Sequence, residues 1–158
     1  MRGSQRARDF AALATAFADL TANLNQPQLH NRVLEQAGVE LDAALARLLF
    51  KIDAKGAIGV VELGDLVGRD HTTISRQVGK LVDLGLVERQ PSKSDRRISQ
   101  AVATAKGSRI ARALAAAHAT LVLPAFDAWS DRDFAEITRL MRRLADDVAQ
   151  LHKTAEPA

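Results

Sequence analysis

The sequence predicts a mainly α-helical fold with one small β-hairpin. Its centre reads as a winged helix-turn-helix, and a helical pairing region is built from both termini. Three observations lead there. Residues 60–84 read as two short helices around a glycine turn, residues 86–102 as two strand-like runs around a basic loop, and both ends as amphipathic helices. The expected segments are 1–55 (N-terminal helices that pair and support the central lobe), 56–103 (the winged lobe) and 104–158 (C-terminal helices that pair).

From the N-terminus, Phe10, Leu13, Phe17, Leu20 and Leu24 recur at spacings of three and four, which predicts a helix over 6–24. Asn25-Gln26-Pro27 ends it, and Pro27 suits the first turn of a second, short helix that stops near Gly38. Asp42 is a good N-cap for a third helix over 43–54, with Leu45, Leu48, Leu49 and Ile52 on one face and Gly56 closing it. Ala57 and Ile58 form an extended piece, and Gly59 leads into a helix over 60–67. Gly68-Arg69-Asp70 makes a sharp turn, with Asp70 capping the next helix over 71–84. There Ile74, Val78 and Leu81 follow the i, i+4, i+7 pattern and face inward.

Leu86–Gln90 and Ile98–Val102 are the strand-like runs, joined by Pro91–Arg97. Thr104 caps a long helix from about 105 toward 123, which Pro124 kinks or ends. Ser130 and Asp133 resemble a capping box with aspartate in place of the usual Glu or Gln. The last helix, over 131–152, carries Phe134, Ile137, Leu140, Met141, Leu144, Val148 and Leu151 as one apolar stripe, with Arg139, Arg142, Arg143, Asp146 and Asp147 largely outside it. Because the middle of the chain already supplies the core of a small winged unit, the terminal stripes are expected to pack against a second copy of the chain.

Composition removes several classes of function. At 47% hydrophobic and 26% charged residues, the chain falls in the globular range and not among disordered sequences. It has no cysteine, which excludes disulfides, thiolate metal sites and thiol redox sensing, and fits a reducing cytoplasm. The basic start is not followed by a signal-peptide core, and no apolar run approaches the roughly 18 residues of a membrane span, so a soluble, cytoplasmic protein is expected. No glycine-rich phosphate loop or nucleophile motif is present, so neither an enzyme nor a cofactor is expected. His30, His71, His118 and His152 lie far apart, with no metal-ligand spacing. His71 is expected near phosphate, while His30 either lines a ligand cleft or sits partly exposed on its helix.

The net charge is only +3, but its placement matters more than its size. Between Arg69 and Arg97 seven cations face four anions, so this window carries the whole excess. Localised positive charge is what a phosphate-binding face requires. On the helix over 71–84, the side opposite Ile74 and Val78 presents Thr72, Thr73, Arg76, Gly79, Lys80 and Asp83, with Ser75 and Gln77 on the flanks. Hydroxyl, amide and guanidinium groups are those that hydrogen-bond base edges and phosphates in the major groove. Arg76, at the centre of that face, is the first choice for a base contact; Lys80 suits phosphate, and Thr72, Thr73, Ser75 and Gln77 suit either. Gly79 leaves no side chain to hold the helix off the duplex. Arg89 on the first strand and Lys93, Arg96 and Arg97 at the loop suit the backbone and the narrow minor groove, where negative potential favours arginine. Asp95 would repel phosphate; its expected task is to brace an arginine, Arg97 among the choices, by a bidentate pair.

At these residues the sequence resembles the MarR family of bacterial transcription regulators. The family's wing pattern is an acidic residue, any residue and arginine, followed about six positions on by Leu-Thr-x-x-Gly. It appears here as Asp95-Arg96-Arg97 and then Ala103-Thr104-Ala105-Lys106-Gly107. Leu63, Leu66, Gly68, Leu81, Gly85, Leu86 and Val87 stand at the family's apolar and glycine positions. Gly59, Gly64 and Ala103 depart from the usual threonine, alanine and leucine. The resemblance implies a homodimer with interleaved terminal helices, bound to a pseudo-palindromic operator in double-stranded DNA, usually as a repressor. It also implies release by a small aromatic or phenolic effector held in a cleft between the pairing helices and the DNA lobe. The alternative is a non-sensing architectural or antagonist protein that pairs through its terminal helices.

Overall fold

The computed structural model describes residues 2–92 and 97–154. Helix α1 (Arg2–Leu24) begins earlier than the apolar stripe that predicts it, and α2 (Pro27–Ala37) starts on its proline. Helix α3 (Ala43–Lys55) is capped by the Asp42 carboxylate, which accepts from the backbone N–H of Ala44 at 2.8 Å and of Leu45 at 3.2 Å. Strand β1 (Ile58–Gly59) leads into α4 (Val60–Val67), and Gly68 turns the chain with φ of 63°, a conformation that favours glycine. Helix α5 (His71–Asp83) follows, then strands β2 (Val87–Pro91) and β3 (Ser99–Ala103), and helix α6 (Ala105–Val122).

Both hairpin strands lie one residue beyond their expected positions. The cause is Leu86, whose N–H bonds back to the Leu81 carbonyl at 2.9 Å and so closes α5 instead of opening a strand. Pro91 ends β2 without harm because the sheet order is β1-β3-β2, which makes β2 an edge where a missing N–H is tolerated. The extended piece near Ile58 proves to be a third strand, with Ile58 opposite Ala101 on β3.

One core joins α3, α4, α5 and the sheet: Leu49, Ile52, Leu63, Ile74, Val78 and Leu81 are sealed from solvent. Each such side chain stabilises the lobe by roughly 1.5–3 kcal/mol relative to exposure. A smaller core, Val33, Ala46, Leu114 and Ala117, holds α2, α3 and α6 together. The start of α6 is pinned to the corner between α5 and β2. Thr104 Oγ1 donates to the Gly85 carbonyl at 2.8 Å, and Lys106 Nζ donates to that of Leu84 at 3.1 Å. Gly107 is required by this close approach, since a Cβ there would stand 2.0 Å from the Leu86 carbonyl oxygen.

The chain divides after Leu121 into two compact units. In the second, Pro124 ends the helical run in a single 3₁₀ turn, Leu123–Phe126, and helix α7 (Asp131–Thr154) follows. Phe126 meets Trp129 and Phe134 edge-on, with ring centroids 5.4 and 5.6 Å apart. The expected capping box is formed: Ser130 Oγ accepts from the Asp133 N–H at 3.2 Å, and Asp133 Oδ2 accepts in turn from the Ser130 N–H at 3.3 Å. Along α7, Arg139 pairs with Glu136 and Arg142 with Asp146. The apolar stripes of α1 and α7 lie open to solvent in the single chain. No helix among the described residues is long and apolar enough to cross a membrane.

Candidate nucleic-acid interface

Helices α4 and α5, with the turn between them, set one exposed helical face beside the hairpin. Ile74, Val78 and Leu81 anchor α5 into the core, so its other side is fixed outward. Asp70 starts the helix, accepting the Thr73 N–H at 2.8 Å. The Thr73 hydroxyl, and then its backbone N–H, hold the Asp70 carboxyl below the ordinary aspartate value, because both favour the charged form. A capped N-terminus pointing outward is also a good place for a phosphate to settle.

On that face Thr72, Ser75, Arg76 and Lys80 are exposed, whereas Thr73 and Gln77 are half-buried. A Cβ on Gly79 would meet nothing, so the helix surface there is open. Arg89 is exposed on β2 opposite Ala101, and Arg97 is exposed at the foot of the second strand. Lys93, Asp95 and Arg96 lie outside the described residues, and with them the expected brace between Asp95 and an arginine.

His71 lies at the first turn of α5, with Nε2 3.4 Å from Asp65 Oδ1. Its ring also accounts for the departure at Gly64: a Cβ there would stand 2.7 Å from His71 Cδ2. Glycine at 64 and histidine at 71 are thus one packing arrangement, the ring taking the space that an alanine methyl would need.

Two hollows adjoin this lobe. The first, about 370 Å³, lies among α2, α3 and α6 and is walled by Val33, Leu34, Ala46, Phe50, Leu114 and Ala115. His30, His118, Arg47 and Lys51 also border it. His30 is half-buried there, donating from Nδ1 to the Gln26 carbonyl at 3.0 Å, so it is a cleft residue and also a helix residue with a local partner. His118, remote in sequence, joins it only through the packing of α6. Among the described residues no three His, Asp or Glu side chains converge as a metal ion would need.

The second hollow, about 450 Å³ and more polar, opens beside α5 between Gln77, the turn residue Arg69, and Arg47 and Lys51 of α3. Reading by sequence passed over Arg47 and Lys51. The signal was present, two cations at i and i+4 on one side of α3, but it points only to an exposed helix face until the neighbours are known.

The profile of the MarR family matches residues 41–99. The fold is similar to that of a MarR family protein from Bacillus stearothermophilus, with TM-score 0.72 and 20% identity over 90% of this chain and 96% of that one. It is also similar to a MarR transcriptional regulator from Methanosarcina mazei Go1, with TM-score 0.70 and 22% identity over 89% and 99% of the two chains. Wild-type MarR from E. coli in its apo form aligns with TM-score 0.62 and 22% identity over 82% and 94%. No curated protein matches the sequence.

Proposed function

The winged lobe of this chain belongs to the MarR family, and from that premise we propose a dimeric, sequence-specific DNA-binding regulator, a repressor released by a small effector. The observation that carries this reading is the exposed face of α5, where Arg76 and Lys80 stand beside an open surface at Gly79. Arg76 reads a base edge in the major groove, with Lys80 and Thr72 holding phosphate. Arg89, Lys93, Arg96 and Arg97 serve the wing. The exposed stripes on α1 and α7 support pairing, since two heads one helical turn apart suit a two-fold operator. The apolar cleft among α2, α3 and α6 supports effector sensing over the non-sensing architectural alternative.

Footprinting on the DNA beside the chain's own gene would supply the operator, and titration against operator and scrambled duplex is the test. Wild-type protein is expected to prefer the operator steeply. Arg76→Ala should lose about 1–3 kcal/mol of that preference, while Lys80→Ala should weaken both duplexes about equally. Equal wild-type affinity for the two duplexes would overturn the proposal.

A further inference from the structure

Arg47 and Lys51 border both hollows: the apolar cleft among α2, α3 and α6, and the polar basin beside α5. Both are exposed, and one turn of α3 separates them, so they share a side of the helix. Arg69 and Gln77 complete the basin with one further cation and an amide, which is a setting for a phosphate of bound DNA. The cleft on the other side is walled by aliphatic side chains and Phe50, without a hydroxyl or amide side chain among its lining residues. Its polar partners are therefore confined to these two cations and two histidines.

Resting on the regulator reading above, we propose that Arg47 and Lys51 are a shared cation pair. They contact DNA phosphate when the cleft is empty and turn to the carboxylate of an amphipathic acid with a plain apolar body when it is filled. The lining selects that ligand class. The walls reward apolar surface, a single anionic head finds charge-assisted partners, and a second polar group would find few. Arginine and lysine carry their charge on long stems, so the head can swing from one hollow to the other while the stem stays packed. Near the cleft's low-dielectric walls the attraction to a carboxylate exceeds its value in water, which lets a small ligand compete with a phosphate. The coupling is a difference in what the two cations touch in the two states, as any ligand-driven shift requires.

The test uses the full chain, a short mixed-sequence duplex, octanoate and 1-octanol, with DNA affinity measured by fluorescence anisotropy across a series of salt concentrations. Phosphate contacts need no particular sequence, and each one lost flattens the log–log salt slope by about 0.9. Saturating octanoate is expected to flatten the slope by about two per bound protomer and to weaken binding by a factor within the roughly 5- to 150-fold range of ordinary coupling. The alcohol, with the same tail and no charge, should leave the slope as it is. In Arg47→Gln/Lys51→Gln the slope should already be flatter by about two, octanoate binding by calorimetry should be lost, and circular dichroism should be unchanged.

Octanoate that binds without changing the slope, octanol that acts equally, or a double variant with the wild-type slope would each overturn the proposal and leave the regulator reading intact. Octanoate acting only by splitting a dimer in light scattering would also overturn it, since the cleft would then be filled by the second copy. Failure of the wild-type chain to bind any duplex would instead remove the regulator reading itself.

Discussion

Helices α3 and α7 carry the same kind of apolar stripe, and their fates are opposite. In α3 Leu49 and Ile52 are sealed at 0% exposure, because α4, α5 and the sheet close over them. In α7 Phe134, Ile137, Leu140 and Val148 are open, and in α1 Phe10 and Phe17 are 68% and 47% exposed. An amphipathic stripe therefore says that a helix has a partner and not where that partner is. The central lobe contains its own partners. The ends carry an apolar surface larger than scattered exposed residues would explain, which is the mark of a face meant for another chain.

The strongest way to break that contrast is to damage one stripe of each kind. Ile52→Ala should cost the lobe about 2–5 kcal/mol in denaturant unfolding while leaving the dimer's dissociation constant nearly unchanged. Phe17→Glu should raise that dissociation constant about a hundredfold or more, because a charge would be forced into the pairing face of both copies. Light scattering across a dilution series would report it, and the melting temperature should become more concentration-dependent. A Phe17→Glu chain that stays dimeric would remove the distinction between the two regions.

Within the lobe the contrast is between the buried and open sides of α5. Gly79 sits on the open side, where a Cβ has nothing to meet. Gly79→Ala should therefore stabilise the helix by up to about 1 kcal/mol by propensity alone. The same methyl would stand on the face assigned to DNA, so operator affinity should fall even as the melting temperature rises. Opposite signs for stability and binding would place the duplex on this face; a stabilised protein with unchanged affinity would place it elsewhere.

What was legible in the sequence was whatever depended on near neighbours. The caps at Asp42, Asp70 and Ser130, the turn at Gly68 and the inward run of Ile74, Val78 and Leu81 are set by interactions within a few positions. What was hidden depended on distant ones. Two residues are too few for a periodic signal, so β1 was readable only as an extended piece; its pairing is decided by Ala101 on β3. Leu86 looked like a strand residue because its carbonyl and N–H obligations to Thr104 and Leu81 are invisible locally. The cleft needed α2, α3 and α6 to converge, which is why His30 and His118 read as unrelated and Arg47 and Lys51 as ordinary surface.

The smallest expected effect tests the local side of that contrast. Thr73 donates to the Asp70 carboxylate and holds its pKa below the unfolded value of about 3.9. A depressed carboxylate contributes stability that is fully present above the unfolded value and is lost as pH falls through the folded one, because the unfolded chain takes up the proton first. The stability gap between wild type and Asp70→Ala should therefore be constant through neutral pH, begin to close as pH falls below the ordinary aspartate range, and narrow toward its minimum in stronger acid. The cap acts only on the first turn of α5, so the dimer dissociation constant should not follow the same titration. A gap that is flat down to strong acid would mean that Asp70 shapes the turn after Gly68 through its backbone and not through its charge.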